Sequence, residues 1–253
     1  MKTKLKSTLF VFFLVFSLFL FNNKSFAQNK KIVLASETSW PPHYGKDLPN
    51  GGYTTEISRE ALKRVGYELE IEWLPWKRAL IEAAIGKYDG VGASYYNEER
   101  AKDFAFTDAI GKTEIVFFML KGKNIRYSKL EDLKPYTIGV GRGYAYPDKF
   151  TSATYLKTEE AITIEHNIRK LLRHRIDLII DSREVIPYLL QTYFPNNVNS
   201  LEMLEPPLDT LLLYVAFSKN SPNYKKKVED FNRGLKMIKD DGTYGNILKK
   251  HGF

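Results

Sequence analysis

Lys87-Tyr88-Asp89-Gly90-Val91-Gly92-Ala93-Ser94 and Arg175-Ile176-Asp177-Leu178-Ile179-Ile180-Asp181-Ser182 are two versions of one phrase, set in opposite halves of the chain. Each follows a helical pattern, passes through an aspartate and enters a short apolar run that ends on a polar residue. Apolar runs of that length, bounded by turn signals, read as buried strands. The echo therefore predicts two βα units of related build, one in each half. In open α/β sheets ligands sit outside the carboxyl ends of the strands. That rule makes Ala93–Arg100 and Asp181–Ser182 candidate sites, with a ligand between them if the halves face each other.

Outward from the first phrase, Lys31–Ala35 reads as a strand and Trp40-Pro41-Pro42 to Gly52 as a loop. Ile57, Ala61, Leu62 and Val65 give Thr54–Val65 helical spacing, and Gly66 closes it. Glu68–Trp73 alternates like a strand, and Pro75 opens a helix that runs to Ile85. This βαβαβ order argues for an α/β layer with a mostly parallel sheet. The order restarts with a strand at Tyr136–Val140 that ends in Gly141-Arg142-Gly143. Helices are predicted over Ile164–Arg173 and Arg183–Tyr193, with a strand at Ile176–Ile180 between them. Leu211–Phe217 reads as a further buried strand, and Ser221–Ile238 and Gly242–Lys250 as closing helices.

The N-terminus carries its own signal. Lys2, Lys4 and Lys6 precede an apolar run from Leu9 to Phe21, and Ser25-Phe26-Ala27 supplies a small-residue cut site. A basic head, a short apolar middle and such a site make a secretory leader over residues 1–27. The run is shorter than the roughly 20 apolar residues a membrane span requires. Removing this leader takes away four lysines and no acid, so the formal charge falls from +8 to +4. A modest excess on an exported chain points away from nucleic acid. The absence of cysteine excludes disulfides, thiolate metal sites and a lipid-bearing cysteine after the leader. The reading is a periplasmic protein that is not lipid-anchored.

Several stretches, in order along the mature chain, resemble the family 3 extracellular solute-binding proteins, the amino-acid-binding partners of ABC importers. They are Gly52-Tyr53-Thr54-Thr55-Glu56-Ile57, Gly86-Lys87-Tyr88-Asp89-Gly90, Asn97-Glu98-Glu99-Arg100 with Phe106-Thr107-Asp108, Ile138-Gly139-Val140 with Gly143, and Asp240-Asp241-Gly242-Thr243-Tyr244. The resemblance implies a two-lobed periplasmic-binding-protein fold of type II, each lobe a mostly parallel sheet flanked by helices. Lobe one would take residues 28–117 and 217–253, and lobe two residues 118–216. Two crossing strands, near Val116–Leu120 and Val215–Ser218, would form the hinge. It further implies that Arg100 holds a ligand carboxylate and that Asp181 receives the ligand's ammonium. Arginine forks onto carboxylates in two parallel bonds, and a carboxylate accepts from an ammonium. The implied partners are a small-molecule solute and, transiently, the membrane permease of an ABC importer, with the protein itself a monomer.

From the residues alone, Arg100 also reads as a surface arginine paired with Glu98 or Asp103, and Asp181 as a helix N-cap. Trp40, Tyr53, Trp76, Arg78, Ser94, Tyr95 and Tyr144 lie at or beside predicted strand ends. Aromatic side chains there can stack on a flat ligand or cage a cation, or can be ordinary packing. Arg142, between two glycines, could reach an anion in lobe two or be a solvated loop arginine. Tyr95 and Tyr96 stand where the family usually has Ser or Thr, which leaves the ligand's identity open.

Catalytic patterns are sparse. Gly92-Ala93-Ser94 lacks the closing glycine of a nucleophile elbow, and Gly141-x-Gly143 lacks the third glycine of a dinucleotide fingerprint. His43, His166, His174 and His251 show no metal spacing. No cofactor is called for. The expected function is capture of a small polar solute, an amino acid or a related organic acid or amine, by hinge closure. Two alternatives share the scaffold: a cyclohexadienyl dehydratase-like enzyme, with Glu37 or Glu56 as its acid, and a soluble module that presents a solute to a membrane sensor.

Overall fold

The computed structural model describes residues 30–253, so the leader expected over residues 1–27 lies outside them. The first half contains β1 (Lys30–Glu37), a small hairpin of β2 (Ser39–Trp40) and β3 (Tyr44–Gly45), α1 (Tyr53–Arg64), β4 (Tyr67–Leu74), α2 (Trp76–Ala84) and β5 (Gly90–Tyr95). Short elements α3 (Glu98–Asp103) and β6 (Phe104–Phe106) lead into β7 (Gly111–Leu120). The second half contains β8 (Thr137–Gly141), α4 (Asp148–Thr151), β9 (Lys157–Ala161), α5 (Ile164–Leu172), β10 (Leu178–Ser182) and α6 (Val185–Tyr193). A long strand β11 (Leu201–Ser218) returns to the first half, which α7 (Tyr224–Asp240) and α8 (Thr243–Lys250) complete.

One nine-stranded sheet runs in the order β4-β1-β5-β11-β7-β10-β8-β9, with β6 paired to β11. Within each half the ladders are parallel: β1 with β5, and β8 with both β9 and β10. Every antiparallel ladder of this sheet with a defined register involves β7 or β11. These two strands cross from one half to the other side by side. Ile115–Met119 of β7 pair with β10, while Leu213–Phe217 of β11 pair with β5. Residues Gly111–Ile115 and Asp209–Leu213 pair with each other between those regions.

The echoed aspartates act alike. Asp89 accepts from the Val33 amide at 2.7 Å, and its own amide donates to the Val33 carbonyl at 2.8 Å. Asp177 does the same with Thr137, at 2.9 Å in both directions. Each aspartate thus pins the start of one parallel strand to the central strand of its half.

Apolar spacing determines what the helices bury. Ile164, Ile168 and Leu171 of α5 fall at i, i+4 and i+7 and are almost fully buried. On α7 the buried apolar side chains are Phe231, Leu235 and Ile238, and a Cβ on Gly234 would sit 2.0 Å from the Ala61 carbonyl oxygen. Only glycine therefore lets α7 approach α1 this closely.

Three departures from the predicted elements have physical causes. β9 went unpredicted because its sequence, Lys-Thr-Glu-Glu-Ala, is charged and its first four residues are exposed on the sheet's edge. β10 starts at Leu178, not Ile176, because Asp177 is spent on the turn. β11 is 18 residues long, far beyond Leu211–Phe217. Pro206 and Pro207 mask its first part, where the ladder to β7 is interrupted between Leu204 and Asp209.

Candidate functional site

The β2–β3 hairpin sets Trp40 directly across from Tyr44. The loop it caps lies against the start of α1, where Gly52 has φ of 89° and a Cβ would meet the His43 carbonyl oxygen at 2.5 Å. His43 is fully buried, with its ring 4.0 Å from the Trp40 ring and its Nδ1 3.0 Å from the Tyr53 hydroxyl. Burial pushes its pKa down to about 3, so the imidazole stays neutral and serves as a platform beneath Trp40.

Arg100 is positioned by a cap. The Asn97 side chain accepts from the Arg100 amide at 2.7 Å, which starts α3 and turns the arginine back over the end of β5. Its guanidinium donates to Ser94 Oγ and the Tyr95 carbonyl, both at 2.9 Å, and to the Gly143 carbonyl of the second half at 2.9 Å. The Trp76 ring lies 5.3 Å from it. Arg100 is only 9% exposed, and no carboxylate pairs with it among the described residues. Burial lowers its pKa to about 10, still far above neutrality, so a buried cation stands without a counter-ion.

Across the cleft, Asp181 ends β10. Its Oδ1 accepts from the Trp40 indole at 3.2 Å and from the Ser182 amide at 2.6 Å, while Oδ2 is buried with no partner. Burial pushes this carboxyl up to about 7. Glu37, at the end of β1, accepts from the Tyr144 hydroxyl at 2.7 Å. Burial first, with the nearby charges of Asp181 and Glu165 adding to it, pushes Glu37 up to about 8 against that hydrogen bond. Two further bonds join the halves: Tyr95 to Ser182 at 2.9 Å, and the Trp76 indole to the Gly143 carbonyl at 3.1 Å. The cavity left among Trp40, Tyr44, Trp76, Arg100 and Tyr144 measures about 20 Å³, room for one water-sized guest.

Of the residues singled out from sequence, Arg100, Trp40, Ser94, Tyr95, Trp76 and Tyr144 line this cavity, and Asp181 reaches it through Trp40. Tyr53, Arg78 and Arg142 do not join them. Tyr53 lies behind His43, against Phe253. Arg78 pairs with Glu82 one helical turn away, and Arg142 turns outward to Glu160 at 3.3 Å. Sequence reasoning missed the Gly143–Tyr146 segment as a unit, in which Tyr146 accepts from the Gly141 amide at 2.7 Å and steadies the loop that carries Tyr144. It named Glu37 only as the acid of the dehydratase alternative, although Glu37 closes β1 and the strand-end rule applies to it as to Ser94. Among the described residues no group of three His, Cys, Asp or Glu side chains could hold a metal ion.

Known proteins resemble this chain in sequence and fold. The arginine-binding extracellular protein ArtP of Bacillus subtilis (strain 168) is 25% identical over 237 residues, which cover 90% of this chain and 89% of ArtP. The L-cystine-binding protein TcyA of the same organism is 23% identical over 222 residues, covering 87% of this chain and 80% of TcyA. Among solved structures, a histidine kinase sensor domain with similarity to periplasmic binding proteins superposes with a TM-score of 0.78 at 19% identity, covering 88% of this chain and 96% of that one. A mutant of ArgBP from T. maritima gives a TM-score of 0.74 at 20% identity, covering 87% and 94%. The fold is the two-lobed type II periplasmic-binding-protein fold, with β7 and β11 as its crossing strands. Residues 32–253 match the description of the bacterial extracellular solute-binding proteins, family 3, and the chain belongs to that family.

Proposed function

We propose that this protein captures a small solute bearing a carboxylate and an ammonium, an amino acid or a close relative, by closing its lobes, and delivers it to the permease of an ABC importer. One observation carries the reading: a buried guanidinium without a counter-ion and a buried carboxylate oxygen without a partner stand on opposite walls of one cleft. In a dry site such groups are costly unless paired. A zwitterionic guest supplies both missing partners, its carboxylate at Arg100 and its ammonium at Asp181. The aromatic walls of Trp40, Trp76 and Tyr144 would cover its side chain. The relatives named for binding arginine and cystine support an amino-acid ligand.

Opening is required, because a 20 Å³ cavity admits no amino acid. The hinge in this reading lies at Gly111–Ile115 and Asp209–Leu213, where the ladders change partner, upstream of the crossings the sequence suggested. Lobe one is then roughly residues 30–112 with 213–253, and lobe two the segment between. Ligand contacts that exist only in the closed form shift the open–closed balance. The leader over residues 1–27 would export the chain to the periplasm, where it would act as a monomer.

The test is mass spectrometry of small molecules released from purified protein, followed by titration of each candidate. Arg100→Ala is expected to weaken binding of an amino acid at least tenfold, or roughly 1.4 kcal/mol. An unchanged dissociation constant would remove Arg100 from the site. A second reading draws on Glu37: a buried carboxyl kept protonated near neutrality is suited to general-acid catalysis in a dehydratase. Steady turnover of prephenate or arogenate by the pure protein would establish it, and ligand-induced stabilisation without product would dismiss it.

A further inference from the structure

Arg142 leaves the end of β8 on the side away from the cleft and faces α5. Between that strand end, α5 and the edge strand β9 lies a cavity of about 330 Å³, many times the space left in the cleft. Its walls carry Arg142, Arg169, Lys170, Arg173 and Arg175, with His166 beside them, against one acid, Glu160. Glu160 pairs with Arg142 at 3.3 Å, and Glu159 takes Lys170 at 2.8 Å. Arg173 and Arg175 have no carboxylate partner among the described residues, and Arg169 has only the Phe194 ring, at 4.9 Å.

Helix energetics do not account for this. The C-terminus of a helix carries about half a negative charge, and one cation near it answers that field. Here Arg169 and Lys170 of α5 lie one turn before its C-cap Arg173, at i−4 and i−3, so three cations share one end of the helix. Each guanidinium presents five donors in a planar fork matched to carboxylate and phosphate oxygens. Two such forks without a carboxylate, Arg173 and Arg175, line one hollow together with Arg169 and call for a guest with several negative oxygens.

We propose that this cavity binds a multivalent phosphoryl oxyanion, carried either by a free polyphosphate-type ion or by an anionic lipid headgroup. The site is separate from the solute cleft and does not depend on what the cleft holds.

Isothermal titration of the whole protein with sodium tripolyphosphate at low ionic strength tests it, because screening weakens such contacts within about 10 Å at 0.1 M salt. Arg173→Gln/Arg175→Gln is expected to raise the dissociation constant at least roughly tenfold, the size of losing charge-assisted bonds. Both positions are exposed, so the melting temperature should not move. Lys121→Gln/Lys123→Gln removes the same charge from exposed positions elsewhere and should change binding less than about twofold if the site is specific. Co-sedimentation with phosphatidylglycerol vesicles, against phosphatidylcholine vesicles, separates the two sources. Arginine-dependent binding to the vesicles alone assigns the headgroup, and binding of tripolyphosphate assigns the free ion. Wild-type protein that binds neither, or equal losses in the two double variants, would overturn the proposal.

Discussion

The two echoed βα units share a turn and differ in what surrounds it. Asp89 and Asp177 make the same reciprocal pair of backbone contacts. Yet Asp89 also accepts from Ser221 at 2.8 Å and pairs with Lys227, whose side chain is 12% exposed, so the turn ties β1 and β5 to α7. Asp177 has no such neighbours and lies at the surface. The strand ends that follow diverge in charge as well. β5 ends in Ser94 and Tyr95 and leads to a buried cation, Arg100, whereas β10 carries a buried acid, Asp181, near its end. A repeated backbone device thus holds two walls of opposite sign, and lobe one's copy is additionally fastened to the C-terminal helices.

That comparison can be broken most directly at the aspartates. Asp89→Ala should destabilise the protein by about 3 kcal/mol, because it strands a largely buried lysine and frees the Val33 amide. Asp177→Ala should cost about 1 kcal/mol, one hydrogen bond at an exposed turn. Equal midpoint shifts in chemical denaturation would show that the extra ties of Asp89 contribute nothing. The walls can be compared by pH. Asp181 and Glu37 are raised from 3.8 to about 7 and from 4.5 to about 8, so between those limits the folded state keeps protons that the unfolded state has released. Stability of the ligand-free protein should therefore fall as pH rises from about 4 to 8, by at most about 1.4 kcal/mol per unit for each group. Glu37→Gln should flatten the upper part of that slope and Asp181→Asn the lower, which separates the contribution of each lobe. An effect as small as that of Asp177→Ala is expected from Trp40→Phe, which keeps the ring but loses the indole bond to Asp181, about 1 kcal/mol in ligand affinity or closure.

Much of this design could be read before any coordinates. The echo located both strand ends because buried parallel strands are short, apolar and bounded by turns, and Asp89 and Asp177 fall at matching points of those turns. The rule that side chains at carboxyl ends of strands face a shared cleft pointed to Trp40, Tyr95 and Trp76, which line the cavity, whereas Arg100 was singled out by the family resemblance, its own residues reading equally as a surface arginine. What spacing cannot specify is the side on which a loop residue leaves the strand. Arg142 and Tyr144 are two apart on one loop, yet Arg142 turns outward to Glu160 while Tyr144 crosses to Glu37 in the other lobe. Arg78 was misplaced for a different reason, because a helical i,i+4 acid, Glu82, holds it on the surface. The charged edge strand β9 carried no apolar signal at all.

The Gly143 carbonyl, which accepts from both Arg100 and Trp76, has a consequence for selectivity. If Arg100 holds the solute as proposed, the protein's own backbone is a resident competitor for the guanidinium that the guest would need. In that reading only an open form would admit a guest, and each tenfold excess of the self-closed form over the open one would weaken apparent affinity about tenfold. A solute whose oxygens serve Arg100 no better than a peptide carbonyl does would then be turned away without any steric clash, by population alone.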